Sequence, residues 1–187
     1  MATEKKTPYA ILGLLSHEPM SGYEIKKRMD TVLKFFWGAS YGGIYPALSA
    51  LAGDGFIAKR ETGENARGKA TYAITDAGRA KLAEWLRVPA GKDELRYETL
   101  LKLFFGNEAG SLRSIGHIQD FERKIRAELS VLRGMVGELE RVKDADSAHV
   151  YYLLTAMFGV KTFEAYLEWC REATATLMNG EQRRNGS

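Results

Sequence analysis

Apolar and polar positions along the chain follow two regimes, and the change between them falls near residue 88. In the front part, Ile11, Leu12, Leu14 and Leu15 give a broad apolar face to a first helix over residues 7–16. Thr7 is placed to cap it, and Pro8 suits the first helical position, where a missing N–H costs nothing. Residues 17–20 read as a turn around Pro19. Ser21 followed by Glu24 forms a capping-box pattern and opens a second helix to about residue 33. There Tyr23, Ile25 and Met29 alternate with Lys26, Lys27 and Arg28. Residues 34–38 interrupt the pattern. A third helix starts near Ser40, runs through Tyr45, Leu48 and Leu51, and stops at residues 53–55. Pro46 has to fall in its first turn, which moves the helical start nearer Gly43. Two strand-like runs, 56–61 and 70–74, flank a loop over 62–69 that carries Arg67 and Lys69. They predict a β-hairpin with a long basic tip. Thr75 then caps a fourth helix through Leu86, with Leu82, Trp85 and Leu86 as expected core.

Residues 88–92 read as a linker, and the periodicity lengthens after it. Residues 95–105 form a short apolar-rich helix. From Leu112 through Ile115, Ile118, Phe121, Ile125, Leu129, Leu132, Val136 and Leu139 the spacings are only 3 and 4. That is the seam of a long amphipathic or coiled-coil helix. Residues 143–147 break it. A last helix over 148–178 carries Val150, Leu153, Met157, Val160, Phe163, Leu167, Cys170 and Leu177, and residues 180–187 read as a disordered tail. The expected fold class is mostly α with a small β-hairpin wing: a winged helix-turn-helix over residues 1–87 and a helical dimerisation and effector domain over 88–179.

Composition changes this picture little. The 187 residues are 45% apolar and 27% charged, an ordinary globular balance. One cysteine excludes an intramolecular disulfide and a cysteine-rich metal site. No signal peptide is evident, and no run approaches the roughly 18 apolar residues that span a bilayer. A cytoplasmic protein without a membrane partner is expected. Charge is more informative by position than in total. Residues 1–87 carry 13 Lys/Arg against 9 Asp/Glu, a net of +4, whereas residues 88–187 carry 14 against 15. The front half is the one suited to phosphates. His17, His117 and His149 have no metal-ligand spacing, and nucleophile-elbow, P-loop and paired-carboxylate motifs are absent. Neither an enzyme nor a cofactor is expected.

Five segments stand in a telling order: IleLeuGlyLeuLeu (11–15), SerGlyTyrGluIle (21–25), GlyGlyIleTyrProAlaLeu (42–48), LeuAlaGlyAspGlyPheIle (51–57) and TyrAlaIleThrAspAlaGly (72–78). Together they closely resemble the PadR family of bacterial transcriptional regulators, over roughly residues 9–86. The helical second half is similar in layout to the subgroup with a larger C-terminal domain. The resemblance implies a homodimer at the bacterial nucleoid that binds palindromic double-stranded DNA, with the Tyr-Pro helix in the major groove and the wing near the neighbouring backbone. It also implies a repressor released by a small aromatic or drug-like effector.

A helix only just fits the major groove, so its exposed face has to be slim. Ser40, Tyr41, Gly42 and Tyr45 suit that role. Residues 38–52 contain no Lys or Arg, which argues against the common Arg–guanine contact and towards shape and backbone readout. Lys26 and Lys27, with Tyr23 beside them, are expected at the DNA from the second helix, and Arg67 and Lys69 from the wing. Lys59 and Arg60 point to opposite faces of their strand, so at most one of them reaches DNA. Dimer contacts are expected from Leu153, Met157, Val160, Phe163, Leu167 and Cys170. Phe105, Phe121, Phe158 and Trp169 are the effector candidates. Each assignment competes with a plainer one. Tyr45 and Pro46 also stabilise a helix start, surface lysines also solvate a face, and buried aromatics also simply pack. Two other functions stay open as well: a winged helix that binds a partner protein, and an enzyme built on a helical dimer.

Overall fold

The computed structural model describes residues 6–37, 43–61, 70–91 and 96–185. The chain forms two compact units, Met1–Lys92 and Asp93–Ser187.

In the first unit, helix α1 (Thr7–Leu15) contributes Ile11, Leu12 and Leu15 to the core. Thr7 is not the cap. The helix already includes it, and the cap position, Lys6, makes no side-chain capping bond. A short strand, β1 (Met20–Ser21), stands where a plain turn was expected. It pairs antiparallel with β3 (Ala70–Ile74), Met20 opposite Tyr72 and Ser21 opposite Thr71. Helix α2 (Gly22–Thr31) begins with the expected capping box: Ser21 Oγ accepts from Glu24 N–H, and the Glu24 carboxylate accepts from Ser21 N–H at 2.8 Å. It ends two residues early, and a single 3-10 turn follows over Leu33–Phe35.

Helix α3 (Ile44–Gly53) starts where Pro46 requires, with the proline in its first turn, and buries Ile44, Leu48 and Leu51. Its end is a paired-carbonyl stop. Gly55 adopts φ +74°, Phe56 N–H reaches Leu51 O at 2.9 Å, and Gly55 N–H reaches Ala52 O at 3.1 Å. The chain then turns into β2 (Ile57–Glu61), which pairs with β3 from Ile57 opposite Ile74 to Glu61 opposite Ala70. The sheet order is β1-β3-β2. Helix α4 (Asp76–Arg87) is capped by Thr75 as expected. Trp85 stacks on Tyr9 at 4.7 Å, tying α4 to α1. Leu82 and Trp85 pack against the core, whereas Leu86 is exposed.

The second unit holds α5 (Glu98–Phe104), a 3-10 turn over Gly106–Glu108, α6 (Ser111–Val142) and α7 (Ser147–Asn185). Helices α6 and α7 form a hairpin. Ile115, Ile118, Ile125, Leu129 and Leu132 are buried along α6, and Leu153 and Cys170 along α7. Gly159 marks a close approach, since a Cβ there would lie 2.9 Å from Leu132 Cδ1. Arg133 and Glu164 bridge the two helices at 2.9 Å. Leu112, expected in the seam, is exposed at the first turn of α6. The tail also departs from expectation: the backbone stays helical from Gly180 to Asn185 instead of becoming disordered. Glu181, Gln182 and Arg183 are good helix formers that prolong an established helix at little cost. Among the described residues, no helix is long and apolar enough to cross a membrane.

Candidate functional site

The first candidate site is the outer surface of α2 and α3. The start of α3 lies directly against the start of α2. A Cβ added to Gly22 would meet Tyr45 Cε1 at 2.9 Å and Leu48 Cδ1 at 3.3 Å, so the missing side chain leaves this space to the Tyr45 ring. Tyr45 is nevertheless 62% exposed and Tyr23 61% exposed. The rest of the outer face of α3 is small: Pro46, Ser49, Ala50 and Gly53. Burying Ile44, Leu48 and Leu51 turns these positions outward together, as the 3.6-residue period requires. The result is a slim, uncharged helix face with one projecting phenol.

Positive charge comes from α2. Lys26 and Lys27 are both exposed. Arg28 is engaged by Glu18 at 3.2 Å, which sets it apart from its two neighbours. Lys59 and Arg60 stand opposite Tyr72 and Thr71 in the hairpin ladder, and both are exposed. Ser40, Tyr41, Gly42, Arg67 and Lys69 lie outside the described residues.

The junction between hairpin and α4 is tightly built. Thr75 Oγ1 donates to Gly55 O at 2.8 Å and accepts from Gly78 N–H at 3.1 Å. Thr75 N–H also donates to Phe56 O at 3.1 Å. A Cβ at Gly78 would fall 2.1 Å from that same Phe56 oxygen. The Thr-Asp-Ala-Gly and Gly-Asp-Gly-Phe segments are thus two halves of one joint, which sets where the hairpin leaves the core.

The second candidate site is in the helical unit. Tyr97 at the start of α5 meets Phe121 of α6 and Tyr166 of α7 edge-on, at 5.9 and 5.6 Å. The Tyr97 and Tyr166 hydroxyls are 2.7 Å apart. Trp169 stands edge-on to Phe121 at 6.3 Å, and Phe163 lies beside Tyr166 at 6.0 Å. Of the four effector candidates, the structure brings Phe121 and Trp169 together and not the other two. Phe105 packs on Phe104 and is exposed, and Phe158 is exposed on α7. Tyr97 was missed because it falls on no position that periodicity singles out.

The expected dimer residues also divide. Leu153 and Cys170 are buried by α6 within a single chain, Cys170 completely, so they are not available to a partner. Val160, Phe163 and Leu167 are half-buried on the same side of the helix, and Met157 is exposed. The apolar stripe read from the sequence is therefore mainly the intramolecular seam.

Comparison with known proteins places this architecture. Residues 11–84 match the profile described as transcriptional regulator PadR-like family, and residues 95–178 match virulence activator alpha C-term. The negative transcriptional regulator PadR of Bacillus subtilis is 32% identical over 168 residues, covering 86% of this chain and 92% of that protein. The chain belongs to the PadR-like family of transcriptional regulators. The crystal structure of Bacillus subtilis PadR in complex with operator DNA superposes with a TM-score of 0.76 at 30% identity, over 92% of this chain and 99% of that one. The same protein in complex with p-coumaric acid gives 0.69 at 28% identity, with the same coverage. The PadR-like profile spans all five sequence motifs, and also the Gly22–Tyr45 contact and the Thr75 joint. The family is one of regulators rather than enzymes.

Proposed function

We propose that this regulator is a repressor that binds a palindromic operator as a homodimer and is released by a small aromatic or drug-like effector. Residues 1–87 serve the DNA, and residues 88–179 serve dimerisation and the effector. The observation that carries the reading is the outer face of α3: small, uncharged, and topped by the exposed Tyr45. Such a face enters a major groove without steric conflict. It also carries no base-reading cation, so contacts to phosphates and sensitivity to DNA shape supply much of the discrimination. Lys26 and Lys27 hold phosphates from α2, with Tyr23 beside them, and Arg67 and Lys69 do so from the wing. Ser40, Tyr41 and Gly42 complete the approach of the third helix. The operator complex of the Bacillus subtilis relative supports DNA as partner, and its p-coumaric acid complex supports an aromatic effector. The protein acts in the bacterial cytoplasm, at the nucleoid.

Homodimerisation rests on a second apolar surface. Val150, Tyr151, Leu154, Met157 and Phe158 are exposed on the side of α7 away from its seam with α6. A second copy covers this face and holds two α3 helices about one DNA turn apart.

The test is fluorescence anisotropy with DNA from upstream of the protein's own gene, at several salt concentrations. Each phosphate contact contributes about 0.9 to the salt slope. Replacing Lys26 and Lys27 by Ala removes four contacts per dimer and lowers the slope by about 3.6. The absence of salt-sensitive, sequence-preferring binding by the wild-type protein refutes the reading. An unchanged slope in the double variant removes α2 from the interface.

A further inference from the structure

Gly22 opens α2, yet its backbone does not call for a glycine. Among the described residues the glycines with positive φ are Gly55 and Gly110. In a helix, alanine loses less chain entropy and is the better helix former. Gly22 is also buried, so it presents nothing of its own to a partner. What its missing Cβ leaves is space, and the Tyr45 ring takes that space with one edge. Tyr45 Cε1 and Cδ1 would stand 2.9 and 3.5 Å from an added Cβ, with Leu48 Cδ1 at 3.3 Å.

The atoms that would have to yield differ from those at Gly78. There a backbone carbonyl blocks the Cβ, whereas at Gly22 the nearest atoms all belong to side chains. Leu48 is held in the core, but most of the Tyr45 surface is in water, so the ring is what swings away. Its backbone does not follow. Tyr45 lies in the first turn of α3, directly before Pro46, whose ring restricts it. A displaced Tyr45 therefore takes a different staggered rotamer while α2 and α3 stay in place.

We propose that Gly22 is a positioning residue for operator recognition: it seats the Tyr45 ring at the start of α3 and acts on DNA affinity through that ring alone. This rests on reading the outer face of α3 as the DNA face, and adds that its projecting side chain is set before DNA arrives. Around Tyr45 that face offers only Pro46, Ser49, Ala50 and Gly53, so no large neighbour replaces an orientation lost there. A ring seated in advance spares the complex the cost of ordering it.

The test uses the full-length protein and duplex DNA from upstream of its own gene, with Gly22→Ala, Tyr45→Ala and the double variant. Gly22→Ala weakens binding about thirty-fold, the equivalent of one neutral hydrogen bond in each protomer of a dimer. Its salt slope stays at the wild-type value, because no cation is displaced. Tyr45→Ala weakens binding at least as much. In that background Gly22→Ala adds less than about a two-fold effect, since the ring it displaces is gone. Fluorotyrosine NMR of the DNA-free protein shows the Tyr45 signal moved in Gly22→Ala, with a melting temperature unchanged or higher. Additive losses in the double variant overturn the proposal, as does an unmoved Tyr45 signal. So does a changed salt slope, because α2 itself has then shifted. Loss of folding in Gly22→Ala that Tyr45→Ala does not rescue also overturns it, since the glycine then serves Leu48. If Tyr45→Ala binds this DNA as wild type does, or wild type does not bind it, the reading of α3 as the DNA face falls and this inference with it. If Tyr45→Ala weakens binding and Gly22→Ala does not, this inference alone is overturned.

Discussion

Adding a single methyl group at Gly78 tests the joint between hairpin and α4. In Gly78→Ala the new Cβ falls 2.1 Å from Phe56 O, more than 1 Å inside van der Waals contact. Neither partner is free to yield. Phe56 O accepts Thr75 N–H at 3.1 Å, and Thr75 Oγ1 links Gly55 O to Gly78 N–H. Overpacking of this kind costs about 1–3 kcal/mol, and loosening one backbone bond adds about 1. Alanine returns up to about 1 kcal/mol as a better helix former. The net loss is about 1–3 kcal/mol, a large share of a small domain's stability. Hydrogen exchange read by mass spectrometry localises the effect. Peptides from residues 44–86 are expected to exchange roughly five- to 160-fold faster, which is that free energy expressed as an equilibrium constant. Peptides from α6 serve as internal reference. Gly13→Ala is the matched control, since a Cβ there meets nothing within 4 Å inside α1. It is expected to slow exchange slightly, by about 0.5–1 kcal/mol. If Gly78→Ala changes exchange in residues 44–86 by less than three-fold, the close approach to Phe56 O is not a constraint and the account of the joint is wrong.

Other outcomes follow from the helical unit. Glu164 is held below the ordinary glutamate range by its hydrogen bond to Arg133, with Lys161 adding attraction. Its contribution is present above the unfolded glutamate pKa and lost as pH falls through the depressed folded value. NMR titration should show Glu164 protonating at lower pH than a free glutamate, and Arg133→Ala should move it back up; an unmoved midpoint refutes the pairing. Cys170 is fully buried, and burial, then the nearby Glu122 carboxylate, raises its thiol above the usual range. A thiol reagent should label it at least a hundred-fold more slowly in the native protein than in urea, because both access and thiolate fraction are reduced. Tyr151→Glu with Phe158→Glu should give a folded monomer in analytical ultracentrifugation, with operator affinity reduced at least ten-fold; a dimer that persists in this variant places the interface elsewhere.

Much of the first unit was legible because its sequence signals are stereochemical requirements. Ser21 and Glu24 exchange hydrogen bonds, Gly55 supplies a positive φ, and Gly78 admits the Phe56 carbonyl. The structure adds why Gly22 stands in SerGlyTyrGluIle: it leaves room for the Tyr45 ring. Strand β1 escaped notice because two residues carry no period, and its existence depends on pairing with β3, fifty residues away. Thr7 was misplaced by one turn position because Pro8 is compatible with either of the first two helical residues. In the second unit, periodicity located the helices well, yet it cannot tell which partner a stripe faces. That is why Leu153 and Cys170 were assigned to a dimer and are buried within one chain. It is also why Phe105 and Phe158 were grouped with Phe121 and Trp169: aromatic composition brought them together, and the packing of α5 and α7 separates them.

The two stripes of α7 differ in length, and that difference bears on how a dimer forms. The inner stripe runs from Leu153 through Val160, Phe163 and Leu167 to Cys170, matching the seam of α6. The outer one is centred on Leu154, with Val150, Tyr151, Met157 and Phe158 around it, and it stops there. The next positions on that side are Lys161, Ala165, Glu168 and Glu172, where a charged surface replaces an apolar one. A partner helix packed along the whole of α7 would have to take those charges out of water, at a cost of several kcal/mol for each one it does not pair. A partner crossing only the first third of α7 buries the aromatic and aliphatic residues and leaves the charges in water. The arrangement therefore favours a dimer joined near the turn between α6 and α7 over a four-helix bundle zipped along its length.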